Sequence, residues 1–542
     1  MPYNSKFKIN IAKTGYIMKK ITFLFLLTLL PLMASAQTLI DGIYYNLNSD
    51  MKTAEVTSNP NEYSGGVIIP ETVTYEGITY DVTEIGYQAF FGCRGMTYIV
   101  LPRSITNIGE YAFSWCSSLT GITIPGSVKE VGNNAFYGCT SLSEVSLGDG
   151  VTSIGYGAFY GCRGMTSVII PNSVTSIAGA AFCECSALSS VTIPNSVTTI
   201  DGWAFAHCSS LTSFTIPQSV TSIGESLLSG CTSLTSVVVE SGNPNYDSRD
   251  NCNAIVETAT NTLVAACSRT VIPNNVTAIG GYAFAYHTEM SSVTISESVT
   301  SIGNYAFAGC SGFTSVTLPS NVTSIGESAF RDCIGLTSFT IPNGVAEIGS
   351  WTFYRCTGMT SVIIPGTVTK IGQGAFGSCT ALTDVYCNAG EVPQTANYVF
   401  DKVQMANATL YVQEGSIEAY KTVTPWSSFG SIGAYNYVEP EVKKCAMPMI
   451  AFFGGKLIFR CKTPDVRYVC NLGFDTDGNN VSLPATVKIS VCATKDGYEP
   501  SDAFTQNIDP RLLLGKLGDI NEDGDVNGTD IQEVINIIVN AE

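Results

Sequence analysis

A twelve-residue segment near the C-terminus has the oxygen-bearing side chains that a hard divalent cation requires. They occupy loop positions 1, 3, 5, 7, 9 and 12, with Gly524 at position 6: Asp519, Asn521, Asp523, Asp525, Asn527 and Asp530. Ca²⁺ takes about six to eight oxygen ligands, and the glycine permits the sharp turn that such a loop makes. We predict that this loop binds one structural Ca²⁺ ion, with Asp525 contributing its backbone carbonyl and Asn527 acting directly or through water. An acidic solvated loop is the alternative.

The 19 cysteines and two histidines could in principle support nucleophilic or redox chemistry. Eleven cysteines and His287 occupy one recurring position, and those cysteines are Cys93, Cys116, Cys139, Cys162, Cys185, Cys208, Cys231, Cys310, Cys333, Cys356 and Cys379. Parallel side chains at successive turns do not offer the Cβ geometry of a disulfide. We predict a column of buried thiols that act as small apolar spacers. Disulfides in an exported chain are the alternative, and the state of the other eight cysteines stays open.

The residues give little support for catalysis. A Ser–His or Cys–His mechanism needs a base within hydrogen-bond reach and a third, orienting group. His287 belongs to the cysteine column, and His207 stands beside Cys208 without an evident partner of this kind. Paired carboxylates stay open as an alternative because acids are plentiful, but a glycosidase would need a deep cleft. We predict a protein that is not an enzyme.

Exposed aromatic residues are the candidate ligand-binding groups. They surround a recurring Ala–Phe pair: Tyr111, Trp115, Tyr137, Tyr156, Tyr160, Trp203, Tyr282, Tyr305, Trp351 and Tyr354. Tyr and Trp are favoured at interfaces because they are large, stiff and amphipathic. We predict that they form a stripe that contacts a protein or glycan partner. The alternative is that these rings pack only against one another.

A 23-residue repeat must position the cysteines and the aromatic residues. The unit V-T-x-I-G-x-x-A-F-x-x-C-x-x-L-T-x-V-x-I-P-x-x begins twelve times, at Val82, Ile105, Val128, Val151, Val174, Val197, Val220, Val276, Val299, Val322, Val345 and Val368. One such unit cannot bury its own apolar face and must stack on a neighbour. The repeat therefore predicts a mainly β solenoid with a parallel sheet, in which each unit is one rung.

The unit beginning at Val151 illustrates the expected rung. Alternation and β-branching in residues 167–170 predict a strand that ends at Pro171. The stretch around Phe159 is too short for a usual helix and predicts one turn of 3₁₀- or α-helix. If the register holds, Phe159 stacks between Phe136 and Phe182.

The remaining segments predict the domain organisation. Residues 1–36 contain a basic stretch, an apolar stretch and Ala34-Ser35-Ala36, which predict a signal peptide with an upstream extension. We predict an N-terminal β cap at 37–81, the solenoid at 82–390 with a long variant rung at 237–273, and a C-terminal cap at 391–437. Residues 441–510 predict a small Ig-like β-sandwich, and residues 515–542 the calcium loop followed by a short helix. No other long apolar run follows the signal, so we expect no membrane insertion of the mature chain.

Composition narrows the classes of partner. The formal net charge is −18, and removal of the first 36 residues, with five Lys and no acid, leaves −18 − 5 = −23. This acidic balance argues against nucleic acid and anionic membranes as partners. Charged residues are only 13% of the chain, while the 45% of apolar residues recur at fixed positions, which argues against disorder.

The I-G-x-x-A-F-x-x-C core and the T-S-V-x-I-P strand resemble the BspA-type leucine-rich repeat family over residues 82–390. This resemblance implies a secreted or cell-surface bacterial protein that adheres to host or bacterial surface proteins, or to glycans. The segment G-D-I-N-E-D-G-D-V-N resembles a dockerin-type calcium repeat, of which dockerins carry two copies and this chain one. A scaffold or assembly subunit that docks through residues 515–542 is the second hypothesis, and an accessory protein of carbohydrate-active enzymes is the third. The oligomeric state stays open.

Overall fold

The computed structural model describes residues 37–435 and, beyond them, the backbone of five strands between residues 449 and 508. The chain divides into two compact units, Met1–Asn436 and Tyr437–Glu542. The predicted signal peptide and the predicted calcium loop lie outside the described residues. No helix in the described part of the chain combines the length and apolar character needed to cross a bilayer.

The N-terminal segment builds a sheet on which the repeats continue. Its strands are β1 (Thr38–Ile40), β2 (Ile43–Asn48), β3 (Thr53–Val56), β4 (Gly65–Ile68), β5 (Thr72–Tyr75) and β6 (Ile78–Ile85). Strands β1, β2 and β3 pair antiparallel, and β3 then pairs parallel with β6. The antiparallel strands therefore cover the first parallel edge of the stack, as an end cap must.

From here each rung contributes a longer strand and a two-residue strand in alternation. They are β7 (Met96–Val100), β8 (Asn107–Ile108), β9 (Gly121–Ile124), β10 (Glu130–Val131), β11 (Glu144–Leu147), β12 (Ser153–Ile154), β13 (Ser167–Ile169), β14 (Ser176–Ile177), β15 (Ser190–Thr192), β16 (Thr199–Ile200), β17 (Ser213–Ile216), β18 (Ser222–Ile223) and β19 (Ser236–Val239). Ser153 pairs with Ser176, and Ser167 pairs with Ser190. Residues at equivalent positions of successive repeats therefore pair with each other. The predicted β-solenoid with parallel sheets is confirmed.

The variant rung contains β20 (Tyr246–Asp247), a 3₁₀-helix (Arg249–Asn251), β21 (Ala254–Glu257) and β22 (Thr262–Ala266). Strands β21 and β22 pair antiparallel as a hairpin, and β22 then pairs parallel with β23 (Ala278–Ile279). On the side of the Ala–Phe pairs, the backbone N–H of Gly230 donates directly to the carbonyl of Ala285 at 2.9 Å. The rungs that begin at Val220 and Val276 are therefore neighbours on that side.

The second block of rungs and its cap complete the unit. The strands are β24 (Ser301–Ile302), β25 (Ser324–Ile325), β26 (Ser338–Thr340), β27 (Glu347–Ile348), β28 (Ser361–Ile364), β29 (Lys370–Ile371), β30 (Asp384–Cys387), β31 (Gln394–Thr395), β32 (Thr409–Val412) and β33 (Ser431–Ala434). The helical elements are 3₁₀ turns at Met405–Asn407, Glu414–Ser416 and Trp426–Ser428, and helix α1 (Ile417–Tyr420). Trp426 is fully buried against the ring of Phe400, which closes the C-terminal end of the apolar interior.

Columns of identical residues form that interior. The rings of Phe136 and Phe159 lie 5.2 Å apart and 3° from parallel, and those of Phe159 and Phe182 lie 5.4 Å apart at 7°. All three side chains are fully buried, and the predicted stacking is confirmed. The column is covered at its N-terminal end by Tyr63, whose ring lies 4.8 Å from that of Phe90.

The segment around each Ala–Phe pair differs from the predicted helical turn. Alternate residues bond within the rung and to the next rung: the N–H of Ala112 donates to Gly109, and that of Phe113 donates to the carbonyl of Ala135. Tyr111 and Trp115 adopt left-handed conformations, with φ of 56° and 63°. In a helix, the backbone N–H groups donate to carbonyls of the same helix. Here every second N–H donates to a carbonyl of the neighbouring rung.

The C-terminal unit contains β34 (Met449–Phe453), β35 (Lys456–Arg460), β36 (Arg467–Phe474), β37 (Val487–Thr494) and β38 (Phe504–Ile508). Strands β34 and β35 form an antiparallel pair, and β36, β37 and β38 form an antiparallel sheet of three strands. The Ig-like sandwich stays a prediction.

Candidate functional site: aromatic clusters on the turn face

The Ala–Phe segments form one outer surface of the solenoid, which we call the turn face. Each segment points the side chains of its Ala, Phe and Cys positions inward, and the residues between them range from buried, as at Ser114, to exposed, as at Trp115. Two residues of each segment are left-handed, a conformation that costs a residue other than glycine roughly 1–2 kcal/mol. Tyr282, Tyr286, Tyr305 and Trp351 share this conformation with Tyr111 and Trp115. The inter-rung hydrogen bonds therefore hold several aromatic residues in a backbone geometry that their own preferences disfavour.

The aromatic residues that the sequence singled out do not form a single stripe. They occupy four different positions of the repeat, so their rings meet only where adjacent rungs happen to place them side by side. Three clusters result, which we name by their order in the chain. Tyr111 lies outside them, edge-on to Tyr87 at 6.2 Å. Tyr156 is 57% exposed and also lies apart.

The first cluster contains Trp115, Tyr137 and Tyr160. The ring of Trp115 meets that of Tyr137 edge-on at 5.3 Å, and Tyr137 stacks on Tyr160 at 4.7 Å and 8°. The Tyr160 hydroxyl donates a 2.6 Å hydrogen bond to Glu184, which also forms a 2.6 Å ion pair with Arg163. The carboxylate at the end of this cluster, that of Glu184, is therefore paired with an arginine of the same chain.

Proton affinities in the first cluster agree with this geometry. The hydrogen bond from Tyr160 and the pairing with Arg163 lower the pKa of Glu184. Burial, followed by the hydrogen bond to Glu184, raises the pKa of Tyr160. At neutral pH the pair is therefore a neutral phenol that donates to a carboxylate.

The second cluster spans the variant rung. Trp203 meets Tyr282 edge-on at 5.3 Å, and Tyr282 stacks on Tyr305 at 4.8 Å and 4°. Beside them the rings of His207 and Tyr286 lie 5.3 Å apart. Trp203 retains 38% exposure, so this cluster presents ring edges from rungs on both sides of the variant segment.

The third cluster contains Trp351 and Tyr354, whose rings meet edge-on at 5.0 Å. The Arg331 guanidinium lies 5.2 Å from the centre of the Tyr354 ring, a cation–π arrangement. Asp332 pairs with Arg331 at 3.2 Å and with Arg355 at 3.1 Å. The carboxylate of this cluster is therefore paired within the chain, and one arginine charge is left in excess.

Glycines make room for the rings. A Cβ on Gly138 would lie 2.7 Å from the Trp115 ring, and a Cβ on Gly374 would lie 2.2 Å from the Trp351 ring. Both glycines also have positive φ. Each ring therefore occupies the space that a side chain at the glycine of the next rung would fill.

The cysteine column has a structural role in this architecture. The Sγ of Cys162 donates to the carbonyl of Phe136 at 3.2 Å, and Cys185 donates to Phe159 at the same distance. Burial raises the pKa of Cys162 well above its usual value, so the thiol keeps its proton. All fifteen cysteines among residues 37–435 are buried free thiols, and the prediction for the column is confirmed. Cys183, two residues before Cys185, instead packs under Tyr160 near the surface.

The two histidines lie apart from any such chemistry. His287 is buried in the cysteine column, and neither of its ring nitrogens makes a well-formed hydrogen bond. Burial lowers its pKa to about 4. Burial also lowers the pKa of His207, which faces Tyr286. Within residues 37–435 no three His, Cys, Asp or Glu side chains are arranged to hold a metal ion, and the predicted calcium ligands, Asp519 to Asp530, lie outside the described residues.

A second exposed surface, the strand face, is formed by the longer strands and, in the rungs that begin at Val276 and Val299, by the equivalent segments, which are not assigned as strands. Its outward positions are mostly hydroxyl side chains, as the sequence indicates: Ser190, Thr192, Ser213, Thr215, Ser292, Thr294, Ser315, Thr317, Ser338 and Thr340. Sequence reasoning missed an apolar group among them, since Ile68, Val100 and Ile169 occupy the same outward column and Ile169 is 81% exposed. Ile122, Ser146 and Ile169 line a shallow depression there. The departure of these residues from the Ser/Thr consensus is the signal that could have identified them.

Comparisons with known proteins agree with this architecture. The sequence matches the family described as BspA type leucine-rich repeat region over residues 72–165, 152–253, 264–383 and 300–420. The crystal structure of a leucine-rich cell surface protein from Faecalibacterium prausnitzii is 33% identical, with a TM-score of 0.57 over 65% of this chain and 94% of that chain. The pneumococcal vaccine antigen PcpA, at 18% identity, shares the fold with a TM-score of 0.52 over 74% of this chain and 99% of that chain. No curated protein matches the chain.

Proposed function

Because this chain belongs to the BspA-type leucine-rich repeat family, we propose that it is an exported protein of the bacterial cell surface that binds other surface proteins. In this proposal the solenoid is a binding surface and performs no catalysis. The similar protein from Faecalibacterium prausnitzii is itself described as a cell surface protein. Export through residues 1–36 and adhesion to host or bacterial cells are parts of the same proposal.

The observation that carries the proposal is the set of rigid aromatic clusters on the turn face. Stacked rings such as those of Tyr137 and Tyr160 lose little conformational entropy on binding because their neighbours already fix them. Large amphipathic side chains of this kind dominate the energetics of protein interfaces. The turn face is therefore better suited to binding than the hydroxyl-covered parts of the strand face.

The thiols and the imidazole of the interior are in a state that does not suit catalysis. The thiols of the cysteine column are protonated and bonded to backbone carbonyls, as Cys162 shows. A catalytic cysteine instead needs a lowered pKa and access to substrate. His287 is buried and neutral at physiological pH, so it has no path to an external substrate.

The proposal is tested by capture of surface-labelled proteins from bacterial and host cells with the full chain. One variant removes the aromatic side chains at Tyr156→Ala, Tyr160→Ala and Trp203→Gly, where glycine suits the φ of 64° at Trp203. A matched variant converts three exposed apolar residues of the strand face to the consensus threonine: Val100→Thr, Ile169→Thr and Val238→Thr. Circular dichroism verifies that both variants fold.

We expect the turn-face variant to lose a captured partner that the strand-face variant retains. If only the strand-face variant loses the captured partner, the strand face and not the turn face is the binding surface. Failure of the unmodified chain to retain any surface protein would refute the proposed function.

We also propose that the segment from Asp519 to Asp530 binds one Ca²⁺ ion that stabilises the C-terminal tail. The oxygen donors and Gly524 support this by their spacing. Calorimetric titration of the full chain with Ca²⁺, with Mg²⁺ as the competing ion, tests the proposal, and one site is expected.

A further inference from the structure

The three aromatic clusters differ in whether the chain neutralises the carboxylates beside them. In the first cluster, Arg163 pairs with Glu184, to which Tyr160 donates. In the third cluster, Arg331 and Arg355 both pair with Asp332. A tyrosine, a carboxylate and an arginine therefore recur together at two places on the turn face.

The second cluster has the tyrosines and the carboxylates without the cation. Glu225 and Glu327 are both exposed and both act electrostatically on Tyr282. Neither forms an ion pair with a lysine or arginine of residues 37–435. In the second cluster, therefore, the negative charge beside the aromatic rings has no matching cation from these residues.

The backbone fixes both glutamates relative to the rings. The carbonyl of Glu225 accepts from the N–H of Trp203 at 3.0 Å, and the carbonyl of Glu327 accepts from the N–H of Tyr305 at 2.9 Å. The N–H of Glu327 donates to the side chain of Asn304 at 2.8 Å. Each carboxylate thus rises from a rigid point at one end of the stacked rings.

The spacing of the two carboxylates indicates the form of a complementary partner. On the turn face, three inter-rung steps separate the rung of Glu225 from that of Glu327, through the rungs of Tyr282 and Tyr305. At about 4.8 Å for each step, the backbone positions of the two glutamates are roughly 14 Å apart. An extended peptide rises about 3.3 Å per residue, so side chains four residues apart lie on one side at roughly 13 Å.

We propose that the second cluster binds an extended segment of a partner protein that carries two lysine or arginine side chains four residues apart. One basic side chain pairs with Glu225 and the other with Glu327, while the intervening residues lie across Tyr282 and Tyr305, and Trp203 flanks the site next to Glu225. The inference rests on the proposed binding function and specifies the chemistry of the partner.

The test measures binding of the full chain to three synthetic peptides by calorimetry. The first peptide has two lysines four residues apart in a Ser/Thr background, the second has the same lysines adjacent, and the third has glutamine at both positions. The variant E225Q/E327Q removes the two charges without changing side-chain size. The variant E130Q/E347Q removes two exposed charges from the two-residue strands β10 and β27, away from the turn face, and is the matched control for net charge.

We expect the first peptide to bind in preference to the other two, and E225Q/E327Q to weaken its binding about tenfold, since two exposed ion pairs are lost. The control variant should stay within about twofold of the unmodified chain. Equal weakening in both variants, or equal binding of the first two peptides, would show non-specific charge attraction and overturn the inference.

Capture of surface proteins with the same variants separates the inference from the function on which it rests. If E225Q/E327Q retains the partner of the unmodified chain at full strength, the inference fails and the proposed function stands. If the unmodified chain retains no partner, both fail.

Discussion

His287 provides a sharp test of the buried column, because it replaces a cysteine where the interior is closed to water. Its ring nitrogens make no well-formed hydrogen bond, and burial lowers its pKa to about 4 from the ordinary value of 6.5. The chain contains only one other histidine, His207. We therefore expect His287→Cys to restore the column and to remove one source of pH-dependent instability.

The sign of the effect follows from proton linkage. A neutral buried histidine contributes stability that is fully present above its unfolded pKa of 6.5 and is lost as the pH falls towards the folded value of about 4. Between about pH 7 and about pH 4.5 this amounts to about 2.5 kcal/mol for the wild-type chain. When the pH is lowered over this interval, the free energy of unfolding of His287→Cys should therefore fall by about 2.5 kcal/mol less than that of the wild type.

Urea-induced unfolding at the two pH values measures the difference, since the carboxylates titrate equally in both chains and cancel. The stability difference at neutral pH combines the removed polar group with a smaller side chain, so the change with pH is the informative quantity. His207→Gln is the control, because His207 is only half buried and should contribute less. If the stability difference between His287→Cys and wild type changes by less than about 1 kcal/mol between the two pH values, the reasoning is refuted.

Three further predictions concern other parts of the molecule. Phe159→Ala, between two stacked rings, should lower the free energy of unfolding by about 3–5 kcal/mol in urea titrations; a loss near zero would contradict the stacked column. Gly309→Ala should cost about 1–3 kcal/mol by the same assay, because φ is 70° and the new Cβ would lie 2.4 Å from the Tyr286 ring. Gly415→Ala, which meets nothing within 4 Å, should stay close to wild type. Asp523→Ala should abolish Ca²⁺ binding in calorimetry of the full chain, and unchanged binding would remove the predicted loop.

The repeat alone determines much of the interior. Because Phe136, Phe159 and Phe182 recur at one interval, stacking them was the way to bury each ring. The same repeat interval predicts that Cys162 is buried, and the structure confirms that it is a buried thiol. The predicted local form of the Ala–Phe segment was wrong, because helix propensity does not anticipate hydrogen bonds that come from the next rung.

The candidate site was less predictable, since it depends on which outward residues meet. Left-handed positions usually favour glycine, so Trp115 and Tyr111 gave no sign of their φ values in the sequence. Partners such as Arg163 and Glu184 stand at different positions of the repeat. Their contact follows from side-chain reach between rungs, which a one-dimensional pattern does not specify.

The sequence by itself determined the period, the inward columns and therefore the solenoid, because apolar side chains at fixed intervals can be buried in only one register. Only the tertiary structure decided that Trp203 and Tyr282 are neighbours, with their rings 5.3 Å apart across the variant rung. The physical reason is the path of that rung, whose hairpin extends one sheet while Gly230 bonds directly to Ala285 on the turn face. A segment without the repeat carries no periodic signal, so the contacts that it creates exist only in the folded chain.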